Sequence, residues 1–161
     1  MYEIYTDGSS RSNGYDNARG GYGFVILRDG QKIAEYSQQV TGATNQQMEL
    51  MAAISALNYL EQYISKGFFE CTLYSDSAYL INCKTQSWYK AWEANGWVTS
   101  ARKPVMNQAL WKQLIPYFDS GRVNFRKVKG HTGQQDWNDY VDKLATAAAD
   151  GTCVNNRSEE E

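Results

Sequence analysis

The sequence lacks the features that mark an exported, membrane-bound or covalently stapled protein. Its three cysteines, Cys71, Cys83 and Cys153, are an odd number without metal-type spacing, which argues against a disulfide framework and a cysteine-based zinc site and suits a reducing compartment. No apolar run approaches the roughly 20 residues that cross a bilayer. The N-terminal residues form neither a basic nor an apolar signal region. We therefore expect a soluble, cytoplasmic protein without a membrane partner.

The chain also lacks an overall positive charge, which by itself argues against a nucleic-acid ligand. Its formal net charge is −2 over 161 residues. The charge is unevenly distributed, because residues 84–129 carry nine Lys or Arg and two acids while the remainder is acidic. A basic block on a mildly acidic protein is a candidate phosphate-binding face. A merely solvated surface explains the same pattern equally well.

The length fits one domain, and the periodicity of apolar residues predicts a mixed α/β fold. Strands are predicted at 2–7, 20–27, 31–39, 71–76 and 123–128, with a loop over 8–20. Helices are predicted from Thr44, which with Gln47 forms a capping box, and over 77–83, 107–118 and 136–149, with Asn107 as a cap. We assign residues 1–151 to a single domain and 152–161 to a flexible tail.

Three acidic residues occupy positions that favour a shared site. Asp7 and Asp76 each end a predicted strand before a small residue, and Glu49 lies in the first turn of the helix that Thr44 begins. An Asp that faces into a sheet-and-helix protein is costly unless a charged partner meets it. We therefore hypothesise that these carboxylates share a divalent metal ion. Taken singly, each has an ordinary alternative, as a turn acceptor or as a surface acid in the positive field of a helix N-terminus.

Further candidates lie in the second half of the chain. His131 is the only histidine and lies in a glycine-flanked loop, where it is either incidental or a proton carrier. Asn138 and Asp142 are i, i+4 neighbours on the last predicted helix. Trp88 and Trp92 have the same spacing within the basic segment 84–106, which suits stacking on nucleic acid or, equally, a small satellite core.

The ordered set of these motifs resembles type 1 ribonuclease H. The matching stretches follow in family order: Tyr5-Thr6-Asp7-Gly8-Ser9, Gly20-Gly21-Tyr22-Gly23, Thr44-Asn45-Gln46-Gln47-Met48-Glu49-Leu50, Ser75-Asp76-Ser77, Val128-Lys129-Gly130-His131, and Asn138 through Asp142-Lys143-Leu144-Ala145. No single stretch is decisive, but the ordered set is highly specific and covers the chain to about residue 150.

The resemblance implies a ribonuclease H-like fold, with a five-stranded mixed sheet (three strands antiparallel, two parallel) flanked by helices. It implies an endoribonuclease that hydrolyses the RNA strand of RNA–DNA hybrids with two Mg²⁺ ions, for which Mn²⁺ substitutes, leaving 5′-phosphate and 3′-hydroxyl ends. By position, Asp7, Glu49, Asp76 and Asp142 resemble the metal-binding catalytic carboxylates, and His131 resembles the catalytic proton carrier. We expect a monomer whose partner is the hybrid duplex.

The resemblance also implies a substrate-binding set. Asn13, Asn45 and Gln46 resemble the amides that contact the minor groove, Thr44 resembles a phosphate contact, and Asn138 joins them. Segment 84–106 resembles the basic protrusion that grips the DNA strand, with Trp88 and Trp92 as its aromatic pair. The chain departs from the family pattern at Glu93-Ala94-Asn95 within the protrusion, at Ala78 in place of Gln, and in a longer loop over 10–20.

Two other functions are compatible with the fold. One is a DNA nuclease of the same fold, against which the amide set and the histidine loop argue. The other is a non-catalytic hybrid-binding module, against which the four acids argue, because a mere binder gains nothing from carboxylates beside phosphates.

Overall fold

A six-stranded mixed sheet forms the centre of the computed structural model, which describes residues 1–10, 18–129 and 136–157. The strands are β1 (Tyr2–Ser10), β2 (Arg19–Arg28), β3 (Gln31–Thr41), β4 (Cys71–Ser75), β5 (Val123–Lys127) and β6 (Asn155–Arg157), in the order β5-β4-β1-β2-β3-β6. Strands β1, β2 and β3 form an antiparallel meander, and β4 lies parallel to both β1 and β5. The predicted five-stranded mixed sheet is confirmed, and β6 extends it.

Helices cover both faces of this sheet. They are α1 (Asn45–Tyr59), which continues into a π-helical segment over Leu60–Ile64, α2 (Ala78–Thr85), α3 (Trp88–Ala94), α4 (Gln108–Asp119) and α5 (Trp137–Ala149). Within the described part of the chain, none of the helices has both the length and the apolar character that crossing a bilayer requires.

Local side-chain contacts explain where three of these helices begin. The capping box at Thr44 is confirmed, because its hydroxyl accepts from the Gln47 N–H at 3.1 Å while Gln47 Oε1 accepts from the Thr44 N–H at 2.9 Å. Ser77 Oγ accepts from the Leu80 N–H at the start of α2. Asp136 Oδ1 accepts from the Asp139 N–H at the start of α5.

The largest core lies between one face of the sheet and the helices α1 to α4. Ile4, Phe24 and Leu73 from the strands pack there with Leu57 of α1 and Trp111 of α4, all of them buried. The opposite face is covered by α5, which packs Val141 against Val25 and Leu27 of β2. Strand β1 is therefore enclosed between α1 and α5, the two helices that carry Glu49 and Asp142.

Strand β1 and the C-terminal segment differ from the sequence prediction. We expected residues 8–20 to form a loop, but β1 continues to Ser10 because Gly8, Ser9 and Ser10 pair with Tyr22, Gly21 and Gly20 of β2. Asp7 therefore lies inside a strand rather than at its end. Residues 155–157, which we placed in a flexible tail, pair with β3 as strand β6, and residues 158–161 lie outside the described residues.

The predicted cap at Asn107 is also corrected. Asn107 precedes α4 with a left-handed φ of 62°, and its side chain caps no backbone N–H of that helix. The side chain instead bonds Gln47 of α1 and Tyr79 of α2. Tertiary partners have replaced the local bond that the sequence predicts for an Asn at this position.

Gly21 sets how closely α5 approaches the sheet. A Cβ atom at Gly21 would lie 2.5 Å from both the Ala145 carbonyl oxygen and the Ala149 nitrogen, whereas at Gly23 the nearest atom would be Leu144 Cβ at 3.2 Å. We expect Gly21→Ala to lower the free energy of unfolding by about 2 kcal/mol or more, because helix backbone cannot move aside cheaply. Gly23→Ala is the matched control, with an expected loss of about 1 kcal/mol or less.

Urea denaturation of both variants measures this difference. Equal losses would show that α5 does not depend on the close contact at Gly21.

Candidate active site

Three carboxylates from three different elements meet at the end of the sheet. Asp7 of β1, Glu49 of α1 and Asp76, which directly follows β4, each bring one oxygen within 4.8 Å of the other two. Asp7 is 3% exposed, and Glu49 and Asp76 are half-buried. The structure therefore brings together the three acids that were predicted from the sequence to share a site.

Asp142 of α5 completes the cluster. Its carboxyl group forms a hydrogen bond with Asp7, and it lines the same cavity of about 320 Å³ as the other three acids. The remaining lining residues are Gly8, Ser9, Ser10, Asn45 and Thr146. The four predicted acids thus share one cavity.

Gly8 explains why α1 lies close enough for Glu49 to reach Asp7. A Cβ atom at Gly8 would lie 2.5 Å from Met48 Cβ and 2.7 Å from the Glu49 nitrogen, so only glycine fits between β1 and α1. The Gly8 N–H also donates to the Glu49 carboxylate. Gly8 was predicted to lie in a loop, because its packing role depends on a helix that is distant in the sequence.

The placement of Glu49 requires one correction. Helix α1 begins at Asn45, so Glu49 is its fifth residue and lies beyond the first turn, which carries no acid. The helix dipole, which acts mainly within the first turn, therefore does not account for this carboxylate. The surroundings of the Glu49 carboxylate are instead set by the Gly8 N–H and by the neighbouring acids.

Burial and crowding favour protonated carboxyl groups in this cluster. Burial, followed by the charges of Glu49 and Asp76, raises the pKa of Asp7 far above its ordinary value. Burial and the charge of Asp76 also raise the pKa of Glu49, against an opposing effect of hydrogen bonds from Asp7 and the Gly8 N–H. Without a counter-charge, the cluster holds protons at neutral pH.

The donor set fits a hard divalent cation. All four groups are carboxylates, the ligand type that Mg²⁺ and Mn²⁺ prefer. One of the buried oxygens, Glu49 Oε2, has no hydrogen-bond partner among the described residues. A buried carboxylate oxygen without a partner is costly, and a cation beside it would remove that cost.

The residues predicted to bind substrate are distributed around this cavity. Asn45 lines it, and Gln46 is exposed beside it on the first turn of α1, next to the cap Thr44. Asn138 is buried, and its Nδ2 donates to the Lys129 carbonyl at 3.0 Å. Asn13 and His131 lie outside the described residues.

The two predicted stacking tryptophans are half-buried and pack against the main core. Trp92 has its ring centroid 5.6 Å from that of the buried Trp111 and 5.8 Å from that of Trp97. Trp88 Nε1 donates to Gln86 Oε1 at 3.1 Å. These contacts favour the packing alternative for Trp92, and a substrate contact by either ring stays a prediction.

Three hydroxyl residues that line the cavity were not among the predicted site residues. Ser9 and Ser10 follow Asp7 on β1, and Thr146 lies one turn after Asp142 on α5. The signal for Thr146 was its i, i+4 spacing from Asp142, which places both side chains on one face of the helix.

A mixed sheet with an acidic cavity beside its central strands, enclosed by helices on both faces, defines a protein with a ribonuclease H-like fold. The family model described as RNase H matches residues 1–156, and the chain belongs to the RNase H family.

Relatives and solved structures agree with this assignment. The chain is similar to the ribonuclease H of Clostridium botulinum strain Hall, with 41% identity over 147 residues that cover 91% of this chain and 94% of that protein. The ribonuclease H of Syntrophomonas wolfei is 42% identical over 149 residues, covering 90% and 93%.

Among solved structures, LC9-RNase H1, a type 1 RNase H with the type 2 active-site motif, superposes with a TM-score of 0.79 at 26% identity, covering 96% of this chain and 77% of that one. LC11-RNase H1 in complex with RNA/DNA hybrid gives a TM-score of 0.67 at 22% identity, covering 93% and 97%, and shares the fold.

The raised pKa of Asp7 predicts how stability depends on pH without metal. The folded protein holds a proton that the unfolded chain releases above about pH 4, so the free energy of unfolding falls as pH rises from there towards the folded pKa. We expect Asp7→Asn to be more stable than the unchanged protein at neutral pH. The slope of its free energy of unfolding against pH should also be smaller, by up to about 1.4 kcal/mol per pH unit.

Urea unfolding in EDTA from about pH 5 to about pH 8 measures both effects. Glu70→Gln, at an exposed position just before β4 and at the other end of that strand from Asp76, is the matched control and should keep the pH dependence of the unchanged protein. An Asp7→Asn variant that is less stable at neutral pH would contradict the argument.

Proposed function

We propose that the chain is an endonuclease that hydrolyses the RNA strand of RNA–DNA hybrids and leaves 5′-phosphate and 3′-hydroxyl ends. The observation that carries this proposal is the convergence of Asp7, Glu49, Asp76 and Asp142 on one cavity in a chain of the RNase H family. The family uses divalent metal ions, and the acid cluster fits such ions. The hybrid as substrate is supported by the family and by the exposed amides beside the cavity.

Asp7, Glu49, Asp76 and Asp142 would hold two divalent cations, with Mg²⁺ as the working ion and Mn²⁺ as a substitute. When bound, such a pair would supply Lewis acidity to the attacking water and to the leaving 3′-oxygen. The carboxylates must be deprotonated to hold cations, so metal binding releases the protons that crowding retains.

His131 would carry protons for the attacking water or the leaving group, because a histidine pKa near 6.5 permits exchange at neutral pH. Asn138 supports this role. Its side chain bonds the Lys129 carbonyl two residues before His131, and it lies one turn before Asp142 on α5. Helix α5 would thereby position Asp142 and, through Lys129, the start of the segment that contains His131.

Substrate selection would rest on the first turn of α1. Asn45 and Gln46 are exposed there, so they can meet base edges and 2′-hydroxyls of a hybrid minor groove. The protrusion would contribute charge more than stacking, since Lys90, Arg102 and Lys103 are exposed whereas Trp92 packs inward. Monomeric state and cytoplasmic location remain predictions.

A panel of labelled RNA–DNA, RNA–RNA and DNA–DNA duplexes with Mg²⁺ tests the proposal. We expect cleavage of the RNA strand of the hybrid alone. Asp7→Asn should lower that cleavage by at least about 10³-fold while hybrid binding largely survives, because the ligand set is broken and the fold is kept. Asp29→Asn should cleave at the normal rate.

Each outcome of the panel separates the alternatives. Cutting of the DNA–DNA duplex would favour a DNA nuclease of the same fold. Hybrid binding without any cutting would favour a binding module, and full activity of Asp7→Asn would remove Asp7 from the site.

His131→Ala tests the proton carrier. We expect turnover to fall roughly 10²-fold without being abolished, because water can replace a general acid or base at lower efficiency. The pH–rate profile should lose its inflection near the histidine pKa. Rates that match the unchanged protein at every pH would reject the role.

A further inference from the structure

Three polar side chains join the outer part of the sheet to α5, and we call them the Glu35 cluster. Its members are Lys32 and Glu35 of β3 and Tyr140 of α5. The Tyr140 hydroxyl donates to Glu35 Oε1 at 2.7 Å, and Lys32 Nζ donates to Glu35 Oε2 and, at 3.2 Å, to the Tyr140 oxygen. Lys32 Nζ also lies 5.3 Å from the centroid of the Tyr140 ring. Each member of the cluster therefore contacts the other two.

The cluster depends on an irregularity in β3. Residues three positions apart on a regular strand point to opposite faces of the sheet. The pairing of β2 with β3 shifts its register between Ile26 and Leu27, which leaves Ile33 as an extra residue on β3. This bulge brings Lys32 to the face that Glu35 occupies. The Glu35 carboxylate, which is only 6% exposed, thereby gains a cation and a hydroxyl as partners.

Helix α5 packs on a part of β2 that offers no side chains to interlock with it. Gly21 and Gly23 face the second half of the helix, where they allow a close approach. Strand β3, which lies beside β2, supplies the polar bonds instead. Gln39 Nε2 donates to the Ala149 carbonyl at 3.0 Å at the end of α5, and the Glu35 cluster holds its first turn. Two separate bonds from β3 therefore hold α5 along its length.

Tyr140 and Asp142 project from nearly opposite sides of α5. They are two residues apart, which corresponds to a rotation of about 200° around the helix axis. Asp142 lines the acid cavity on one side, whereas Tyr140 is not part of the lining and reaches β3 on the other side. A bond at Tyr140 therefore opposes a roll of the helix that would change the distance between Asp142 and Asp7.

A small roll of α5 is enough to disturb a magnesium site. A side-chain carboxylate lies about 6 Å from the helix axis, so a roll of about 10° moves it by about 1 Å. Mg²⁺ requires near-ideal octahedral geometry with ligands at about 2.0–2.1 Å. Repulsion from the other three acids also acts on Asp142 once they are deprotonated. The rotation of α5 therefore has to be fixed by bonds outside the cavity.

We propose that Tyr140 is a positioning residue for the metal site, which fixes the rotation of α5 through its bond to Glu35 and thereby places Asp142. The inference rests on the proposed function, because Asp142 is assigned there to hold a cation. Tyr140 neither lines the cavity nor belongs to the first turn of α1, which is assigned to the hybrid. It acts on the requirement for Mg²⁺ and not on hybrid binding.

The test compares Tyr140→Phe with Gln39→Leu. Each variant removes one hydrogen bond between β3 and α5 and keeps a side chain of similar size. Tyr140→Phe also keeps the Lys32–Glu35 ion pair and the ring contact with Trp137, so no buried charge loses its counter-charge. We expect Tyr140→Phe to raise the Mg²⁺ concentration that gives half-maximal hybrid cleavage by about three- to ten-fold. Gln39→Leu should stay within about two-fold of the unchanged protein.

Two further measurements distinguish positioning from a general loss of structure. At saturating Mg²⁺, kcat and KM of Tyr140→Phe should return to within about two-fold of the unchanged protein, because all four carboxylates are still present. In the metal-free protein, amide hydrogen exchange should become faster in the first half of α5 in Tyr140→Phe and in its last turn in Gln39→Leu.

Three results would each overturn the inference. They are an unchanged Mg²⁺ requirement in Tyr140→Phe, an equal rise in Gln39→Leu, and a loss of kcat that excess Mg²⁺ does not restore. If the unchanged protein leaves the hybrid uncut, the proposed function fails. The Mg²⁺ concentration that half-saturates the increase in the free energy of unfolding then replaces the cleavage measurement. Absence of any effect of Mg²⁺ on both cutting and stability would overturn both proposals.

Discussion

Like charges crowded around one buried carboxylate are the constraint on which this structure depends. Asp7 lies buried inside β1 with three other acids around it, and no basic side chain lines the cavity among the described residues. Such a cluster opposes folding, so packing elsewhere must hold it. The helices do this from both sides, since α1 reaches β1 through Gly8 and α5 reaches β2 through Gly21. A divalent cation bound there would supply the positive charge that the cavity lining lacks.

The sheet topology explains why two of the acids are neighbours. Strands β1 and β4 are parallel and adjacent, with Tyr5 opposite Tyr74. Asp7 and Asp76 each lie two residues beyond this pair, so equal spacing along parallel strands brings them to the same level. The rings of Tyr5 and Tyr74, two residues before the acids, lie side by side in the same way and stack with centroids 4.6 Å apart. An antiparallel neighbour would have carried the second acid to the opposite end of the sheet.

Sequence patterns predicted the site well where the signal is local, and less well where distant segments decide. The capping box at Thr44 is local and was predicted correctly, and β4, predicted over 71–76, ends one residue earlier at Ser75. The extension of β1 was missed because turn-like residues after Asp7 become strand when Gly20–Tyr22 pair with them. Asn107 is a residue type that favours caps, but its side chain bonds Tyr79 and Gln47, which are 28 and 60 positions away in the sequence.

The acidic residues of the cavity and the basic residues of segment 84–129 lie on separate parts of the molecule. Without cations the acid cavity would repel a nucleic-acid backbone, whereas the surplus of Lys and Arg over residues 84–129 would attract it. Exposed bases of that surplus occur both in the protrusion, at Arg102 and Lys103, and along β5 towards Lys129. β5 lies beside β4, which leads to Asp76. The exposed bases of β5 therefore lie one strand away from the β4 end that leads to Asp76, where they would attract a nucleic-acid backbone.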